Sequence, residues 1–211
     1  MTLRSILLSA FGLINFMRPT FAFDTSPLQD FCVADATTKA CKEAAKVTSN
    51  DFFFSGLHLA GNTSNPYGVA VATVSAAQIP GLNNLGMTLM RVDMAANGFF
   101  PPHIHPRATE LVTVLEGSME VGFITSYPDY NYFTKILQKG DVFVVPVGLV
   151  HNVQNLAKGN TVAMVAFNSQ NPGITNFPNA VFEAKPAVDT DYLARSFRLD
   201  KKTIEDLKKK F

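Results

Sequence analysis

Two of the chain's four histidines lie one residue apart in the segment PPHIHPRATE, as His103 and His105, and Glu110 follows five positions after the second. Alternate residues of a β-strand point to the same face, so the two imidazoles can be directed at one point. Glu110 has an odd separation from His105 and cannot share that face on an unbroken strand. Pro106 and the residues after it can interrupt the strand and return Glu110 at the start of the next one.

A third histidine, His151, follows the turn residues Pro146 and Gly148 in GDVFVVPVGLVHNVQN. Three imidazoles and one carboxylate on adjacent strands would form a site for a divalent metal, and these residue types leave manganese, iron, zinc and copper open. The alternative is that they are structural histidines with satisfied hydrogen bonds. The clustering of three out of four histidines near a usable glutamate favours the metal site. His58 stands alone in SGLHLAGN, and we expect it at the surface or core edge.

These residues must be positioned by the short apolar segments of the chain. After residue 50 such segments follow one another, separated by Gly, Pro and Asn. Each has the length of a strand and is rich in Val, Phe, Ile and Thr: LGMTLMRVDM, ELVTVLEG, MEVGFIT, FTKILQKG, DVFVVPVG and NTVAMVAFNS. Two of them, joined as LVTVLEGSMEVGFI, predict a hairpin that turns at residues 116–118. Strands at this spacing indicate an antiparallel sandwich or barrel, so the predicted fold class is all-β.

The last segment, residues 188–211, lacks Gly and Pro and is rich in helix-forming residues. Apolar side chains recur there at helical spacing, at Leu193 and Phe197 and then at Ile204, Leu207 and Phe211. Asp189 and Asp200 are suitable N-cap residues, and the three final lysines suit a helix C-terminus. One or two amphipathic helices are therefore predicted to pack on the strands or on a partner subunit.

The first 22 residues have the pattern of a secretory signal peptide. Arg4 gives a positively charged start, residues 6–17 are mostly apolar, and Thr20 and Ala22 are small residues that suit cleavage after position 22. This apolar stretch is too short to cross a bilayer comfortably, and no later segment is apolar enough for a membrane helix. We therefore expect an exported protein without a membrane anchor.

Export gives a meaning to two further features. Cys32 and Cys41 are the only cysteines, and in an oxidising compartment such a pair is expected to form a disulfide that fastens an N-terminal arm, residues 23–60. A thiolate metal site or a redox pair would prefer closer spacing such as C-x-x-C. Asn62 begins the only N-x-[ST] triplet, in the polar segment AGNTSNPYG, and is the predicted glycosylation site.

The composition of the chain excludes one class of function. Hydrophobic residues make up 47% and charged residues 17%, which is enough for a packed core. The formal net charge of +1, without a long basic segment before the C-terminal lysines, gives no electrostatic surface for nucleic acid.

The two histidine-containing segments resemble the two motifs of the cupin superfamily. The first reads G-x4-H-x-H-x4-E-x6-G from Gly98 to Gly117, and the second reads G-x5-P-x-G-x2-H-x3-N from Gly140 to Asn155. PPHIHPRATE has the form found in plant germins and germin-like proteins. The resemblance extends over nearly the entire chain after the signal peptide, through LQDFCVAD, DFFFSGL, IPGLNNLG and FNSQNPG.

This resemblance implies a single-domain jelly-roll β-barrel, a monocupin, over residues 61–187, with C-terminal α-helices over residues 188–211. It also implies the family's disulfide between Cys32 and Cys41. The expected assembly is a homohexamer built as a trimer of dimers, secreted to the plant apoplast or cell wall. The expected partners are copies of the same chain and a small-molecule substrate, with neither nucleic acid nor membrane.

For the site, the resemblance implies one manganese ion per chain, held by His103, His105, Glu110 and His151. Asn155, the last residue of the second motif, is expected in the pocket. The residues after the third histidine depart from the family, which usually has an aromatic residue and then Gln, whereas this chain has Asn152, Val153 and Gln154. Groups around the ligands tune a metal, but the direction of this effect does not follow from the sequence.

Two family activities compete for this site. In oxalate oxidases one Asn precedes Arg-Val-Asp and another precedes Pro-Pro-His, and both hydrogen-bond the substrate. This chain has Met90 and Phe100 at these pocket positions. Neither side chain can donate to oxalate, and each lost hydrogen bond costs roughly 1–3 kcal/mol. The resemblance therefore favours a superoxide dismutase-type activity that produces hydrogen peroxide over oxalate oxidase. A non-enzymatic alternative is a glycosylated wall protein, receptor-like or structural, in which the metal has a structural role.

Overall fold

Ten β-strands follow one another in the part of the chain that the computed structural model describes, residues 29–35, 37 and 40–211. They are β1 (Val69–Val74), β2 (Thr88–Met94), β3 (Phe99–Ile104), β4 (Glu110–Glu116), β5 (Ser118–Ile124), β6 (Tyr132–Gln138), β7 (Val142–Val145), β8 (Val150–Gln154), β9 (Thr161–Phe167) and β10 (Thr175–Asn176). The signal peptide expected at residues 1–22 lies outside the described residues.

The strands form two five-stranded antiparallel sheets. The first has the order β1-β2-β9-β4-β7, and the second has the order β10-β3-β8-β5-β6. Alternate residues of each strand point between the sheets, where Met94, Val112, Val121, Ala163 and Phe167 are part of one buried cluster. This is the jelly roll that was expected, and the all-β fold class with C-terminal helices is confirmed.

The hairpin predicted for LVTVLEGSMEVGFI is wrong. Strand β4 pairs with β7 and β9, whereas β5 pairs with β6 and β8, so the two strands belong to different sheets. The connection is Gly117, with a φ of 75°, and a Cβ there would lie 2.6 Å from Oγ1 of Thr161. Only glycine can adopt this backbone geometry against the neighbouring strand, and the chain uses it to cross from one sheet to the other.

Three α-helices close the chain: α1 (Phe177–Phe182), α2 (Thr190–Phe197) and α3 (Lys201–Lys210). The side chains of Asp189 and Asp200 accept hydrogen bonds from the backbone N–H groups of Tyr192 and Thr203, so both expected N-caps are present. Arg198, with a φ of 56°, ends α2 in the left-handed region. No sequence pattern predicted α1, which is short and begins beside a proline. Helices α2 and α3 bury Leu193, Ala194 and Ile204 between them, against α1 residues.

The N-terminal arm is fastened to the loop before β2. The disulfide between Cys32 and Cys41 is present, and Val33 is buried. The side-chain amide of Asn83 donates to the Cys32 carbonyl at 3.1 Å, and Lys42 forms an ion pair with Asp51 at 2.9 Å. The disulfide therefore closes a segment that is also held by a buried side chain and by a hydrogen bond to the loop before β2.

Among the described residues, no helix has the length and apolar character needed to cross a membrane.

Candidate metal centre

Four side chains from both sheets meet inside the barrel. His103 lies on β3 and His151 on β8, directly opposite each other in the antiparallel register, with ring centroids 4.0 Å apart. His105 follows β3, and Glu110 is the first residue of β4 in the other sheet. One ligand atom from each of the four lies within 4.8 Å of the others, and all four residues are buried.

The local sequence explains how the segment between the first two histidines and the glutamate changes sheets. The β3–β8 register shifts between Phe100 and His103, so the strand pairing is irregular immediately before the first histidine. The backbone carbonyl of His105 accepts a hydrogen bond from the N–H of Gly148 at 3.1 Å, which joins the two motif segments. The chain then turns after Pro106 and enters β4 at Glu110, as the sequence analysis expected.

Backbone carbonyls orient all three imidazole rings. Nδ1 of His103 lies 2.8 Å from the carbonyl of Pro101, Nδ1 of His151 lies 3.0 Å from that of Leu149, and Nδ1 of His105 lies 2.5 Å from that of Gly173. A carbonyl only accepts, so each Nδ1 must carry the proton. A neutral imidazole then has its lone pair on Nε2, which is the tautomer a metal ligand requires.

Two of these Nε2 atoms contact the carboxylate of Glu110, and in this tautomer neither of them carries a proton that could form a hydrogen bond. Oε2 of Glu110 lies 3.0 Å from Nε2 of His151 and 3.2 Å from Nε2 of His105. With Nδ1 protonated and the rings neutral, these contacts bring lone pairs against a carboxylate oxygen in a buried space. Oε2 of Glu110 and Nε2 of His151 are indeed buried polar atoms without a hydrogen-bond partner. A cation, either a proton or a metal ion, must lie between them, so the donor set fits a bound metal.

The protonation preferences agree with this donor set. Burial, followed by the neighbouring His151 ring, lowers the pKa of His103 from 6.5 to about 4. Burial alone raises the pKa of Glu110, but hydrogen bonds from His105 and His151, which form only when the facing Nε2 atoms carry protons, outweigh burial and lower the pKa from 4.5 to about 2. At neutral pH His103 is therefore neutral, and Glu110 is ionised when a cation, either a proton on Nε2 or a metal ion, lies between it and the two imidazoles. These are the states in which the residues can coordinate a metal.

A cavity of about 430 Å³ lies next to these side chains. Met90 and Phe100, the two positions compared with oxalate oxidases, both line it, and so does Val153. Asn152 lies on the other face of β8, where its Nδ2 donates to the hydroxyl of Tyr132 at 3.2 Å. Of the two residues that depart from the family pattern, Val153 therefore shapes the cavity and Asn152 does not.

Asn155 is not a pocket residue, which corrects the expectation from the second motif. Its Nδ2 donates to the carbonyls of Ala95 and Gly159, both at 2.8 Å, and its Oδ1 accepts from the N–H of Ala157 at 2.8 Å. It is buried and does not line the cavity. Its side chain satisfies the backbone of two loops, so its role is structural.

Two other predicted positions lie at the surface. His58 is exposed and does not belong to the four-residue cluster. Asn62 is also exposed, and its Oδ1 accepts a hydrogen bond from the N–H of Ser64 at 2.9 Å, so the predicted glycan acceptor lies on an accessible turn.

Sequence reasoning missed the segment that borders the cavity after β9. Residues 170–174, here called the mouth loop, all line the cavity, and Gly173 supplies the carbonyl next to His105. Arg107 fastens this loop, since its Nε donates to the carbonyl of Asn171 and its Nη2 to the side-chain oxygen of Asn171, both at 2.8 Å. The segment FNSQNPG resembles the family, but no local sequence pattern indicates that it borders the site.

Comparison with known proteins places this site in a family. The profile of the cupin family matches residues 55–205. Germin-like protein 2-1 of Oryza sativa subsp. japonica is 53% identical over 197 residues, covering 90% of this chain and 91% of the relative. Germin-like protein subfamily 1 member 20 of Arabidopsis thaliana is 45% identical over 198 residues, covering 90% of this chain and 89% of the relative.

Solved structures give the same result. An oxalate oxidase in complex with the substrate analogue glycolate is 41% identical, with a TM-score of 0.83 over 88% of this chain and 96% of that one. Peruvianin-I, a cysteine peptidase from Thevetia peruviana latex, is 37% identical, with a TM-score of 0.67 over 72% of this chain and 96% of that one. The chain therefore belongs to the germin-like proteins of the cupin family.

Proposed function

We propose that this protein is a secreted germin-like protein that holds one manganese ion per chain and has superoxide dismutase activity. The ligands are His103, His105, Glu110 and His151. The observation that carries the proposal is that backbone carbonyls contact Nδ1 of all three imidazoles, which leaves Nε2 for a metal, and that ligand atoms of the three histidines and Glu110 lie within 4.8 Å of one another. Three nitrogen ligands and one carboxylate oxygen suit a redox-active divalent ion.

Manganese would supply the redox chemistry by alternating between two oxidation states, so that superoxide yields dioxygen in one half-reaction and hydrogen peroxide in the other. The residues of the chain perform the remaining tasks. The carbonyls of Pro101, Leu149 and Gly173 keep the imidazoles in the ligating tautomer. The ring of Phe167 packs edge-on against His105 with centroids 4.6 Å apart, which further limits rotation of that ring. The apolar walls around the ligands reduce competition from water.

Oxalate oxidation is the main enzymatic alternative, since an oxalate oxidase is among the similar solved structures. Oxalate carries two carboxylates, and a buried carboxylate needs hydrogen-bond donors. The cavity presents a thioether at Met90 and a phenyl ring at Phe100. Superoxide is diatomic and needs only access to the metal, so it tolerates these residues better than oxalate does.

A cysteine peptidase activity, as named for Peruvianin-I, finds no support in this chain. The sequence contains two cysteines, and both are in the disulfide. A thiolate nucleophile is therefore absent, and this activity is not proposed.

We also propose secretion to the apoplast and assembly into a homohexamer built as a trimer of dimers. The signal-like N-terminus, the disulfide and the exposed acceptor Asn62 support export and glycosylation. The outer face of β4 and β7 exposes Leu111, Leu115, Val142 and Val144, an apolar surface of the kind that subunit interfaces cover. Analytical ultracentrifugation of the secreted protein measures the assembly directly.

The central experiment uses secreted, purified protein. Elemental analysis gives the metal content, and superoxide and oxalate assays are then run on the same sample. We expect about one manganese per chain and superoxide turnover, with both lost in His103→Ala and retained in the exposed control His58→Ala. Bound manganese with neither activity would support the structural wall protein instead, and oxalate turnover would overturn the argument from Met90 and Phe100.

A further inference from the structure

The cavity beside the metal centre is larger than superoxide requires. Its volume of about 430 Å³ falls in the range of roughly 300–1,000 Å³ that is typical of sites for organic ligands. A diatomic substrate would occupy only a small part of it. The volume therefore indicates a ligand with a body of several carbon atoms.

The walls of the cavity are mainly apolar. Side chains from both sheets face it, including Met90, Val92, Phe100, Val112, Val153 and Val165. Polar residues of the lining lie mainly toward β1 and the mouth loop, at Thr73, Ser75, Gln170 and Asn171. The body of a ligand placed between the sheets would thus contact hydrocarbon, whose burial is favourable in proportion to area.

The charged groups of the cavity are Glu110 and the metal ion that the proposed site would hold. Among the described residues that line it there is no Lys or Arg, and Glu110 is the one acidic side chain. A divalent ion with one carboxylate and three neutral imidazoles has a net charge of +1. A single negative charge on the ligand neutralises this buried site, whereas a second carboxylate between the sheets would lie against apolar walls, and the described residues of the lining offer it no cationic side chain.

We propose that the cavity binds a monocarboxylate with a hydrocarbon body, aliphatic or aromatic. The carboxylate lies at the metal end, and the body lies along Met90, Phe100 and Val165. This inference rests on the proposed metal site, because the metal supplies the positive charge. It goes beyond that site in naming the class of organic ligand that the rest of the cavity accepts.

Entry to the cavity passes the edge of the first sheet. Val71 of the edge strand β1 lines the cavity and is 45% exposed, so it marks the accessible end of the apolar wall. A charged residue at this position should disturb ligand binding without disturbing the core. Ile136 of the edge strand β6 is 51% exposed and does not line the cavity, which makes it a matched control.

The test is calorimetric titration of manganese-loaded protein with acetate, butanoate and hexanoate. We expect affinity to increase about fourfold for each methylene added, which corresponds to burial of each group in the apolar cavity. Adipate has the same number of carbon atoms as hexanoate, with the terminal methyl group replaced by a second carboxylate, and we expect it to bind at least about tenfold more weakly than hexanoate. Hexanol, which lacks the charge, should bind more weakly as well.

The variants locate the binding. Val71→Asp should weaken hexanoate binding by about fivefold or more, whereas Ile136→Asp should leave it unchanged and control for added charge. Affinity that does not change with chain length, adipate that binds as tightly as hexanoate, or equal effects of both variants would each overturn the inference. Metal analysis of the same samples separates the two proposals. If manganese is bound but affinity does not increase with chain length, this inference alone is wrong. If no manganese is bound, the proposed function is wrong, and the ligand carboxylate also lacks the metal ion that it was proposed to contact.

Discussion

The carbonyl oxygen of Gly173 lies 2.5 Å from Nδ1 of His105, although the two residues are 68 positions apart in the chain. Gly173 belongs to the mouth loop, and a Cβ at this position would lie 2.6 Å from Nη2 of Arg107. The loop that borders the cavity therefore also orients one of the candidate metal ligands. Access to the cavity and the geometry of the site are linked through this single hydrogen bond.

Arg107→Ala is expected to weaken manganese binding about tenfold, although Arg107 is not a ligand. Loss of its hydrogen bonds to Asn171 frees the mouth loop, and the Gly173 carbonyl then holds the His105 ring less firmly. Competition titration with a chelator measures the affinity. Arg195→Ala, on the exposed face of α2, is the control and should have no effect. Unchanged affinity in Arg107→Ala would show that the loop does not position the ligand.

Glu110→Gln is expected to abolish metal binding without destabilising the metal-free protein. The carboxylate of Glu110 faces Nε2 of His105 and of His151, whereas an amide N–H in its place can donate to one of these lone pairs. We therefore expect the melting temperature of the metal-free variant to equal or exceed that of the metal-free wild type. Addition of manganese should raise the melting temperature of the wild type only.

The opposite result for Glu110→Gln, a lower melting temperature in the metal-free state, would mean that the carboxylate is already well paired without a metal. An imidazolium at His105 or His151 would then be the partner, and the argument that the donor set requires a metal would lose its main support.

The metal-free protein is expected to lose stability as the pH falls from 6.5 to 4. The pKa of His103 is lowered to about 4 in the folded state, so the unfolded chain binds more protons in this window and is favoured by acid. The loss is on the order of 3 kcal/mol in the free energy of unfolding. Urea denaturation across this range measures it.

Two features separate the contribution of His103 from others. Where His105 and His151 donate to its carboxylate, the pKa of Glu110 is lowered to about 2, so a change in stability from this group falls below pH 4.5 and mostly outside the window of His103. His103→Asn should flatten the dependence between pH 6.5 and 4, while the exposed control His58→Asn should retain it. An unchanged slope in His103→Asn would assign the effect to another group.

The sequence predicted the site better than the strand connections around it. Alternation on one strand and the break at Pro106 sufficed to bring His103, His105 and Glu110 together, because these are local constraints. The supposed hairpin at Gly117 failed because apolar segments separated by a glycine look the same whether the chain folds back in one sheet or crosses to the other. The link from Gly173 to His105 depends on contacts far apart in the chain, which no local pattern contains.

The double variant Met90→Asn, Phe100→Asn is expected to gain oxalate binding. Both positions line the cavity, and each introduced amide can donate to a carboxylate oxygen, which contributes about 1 kcal/mol or more per hydrogen bond. Together they should tighten oxalate binding by at least about tenfold. Calorimetry on manganese-loaded protein measures this, with Met90→Leu, Phe100→Leu as an apolar control. Equal affinity in both double variants would show that the two positions do not limit oxalate binding.

Asn155→Ala tests whether this motif residue has a structural role or acts in the pocket. The substitution leaves the carbonyls of Ala95 and Gly159 and the N–H of Ala157 without their buried partner. We expect the free energy of unfolding to fall by about 3 kcal/mol. The metal content of the folded fraction should remain at the wild-type level, because no bond of Asn155 reaches a ligand.

The control for Asn155→Ala is Asn152→Ala, which removes a single contact with the Tyr132 hydroxyl outside the barrel interior and should change the free energy of unfolding by less than about 1 kcal/mol. Urea denaturation of both variants, with metal analysis of each, distinguishes the two roles. If the Asn155 variant has wild-type stability but altered ligand affinity, Asn155 acts in the pocket and its role is not structural. A large loss of stability with unchanged metal content would instead mean that the second motif ends in a residue that joins loops. Asn155 lies two positions beyond Val153, and Val153 lines the cavity whereas Asn155 does not.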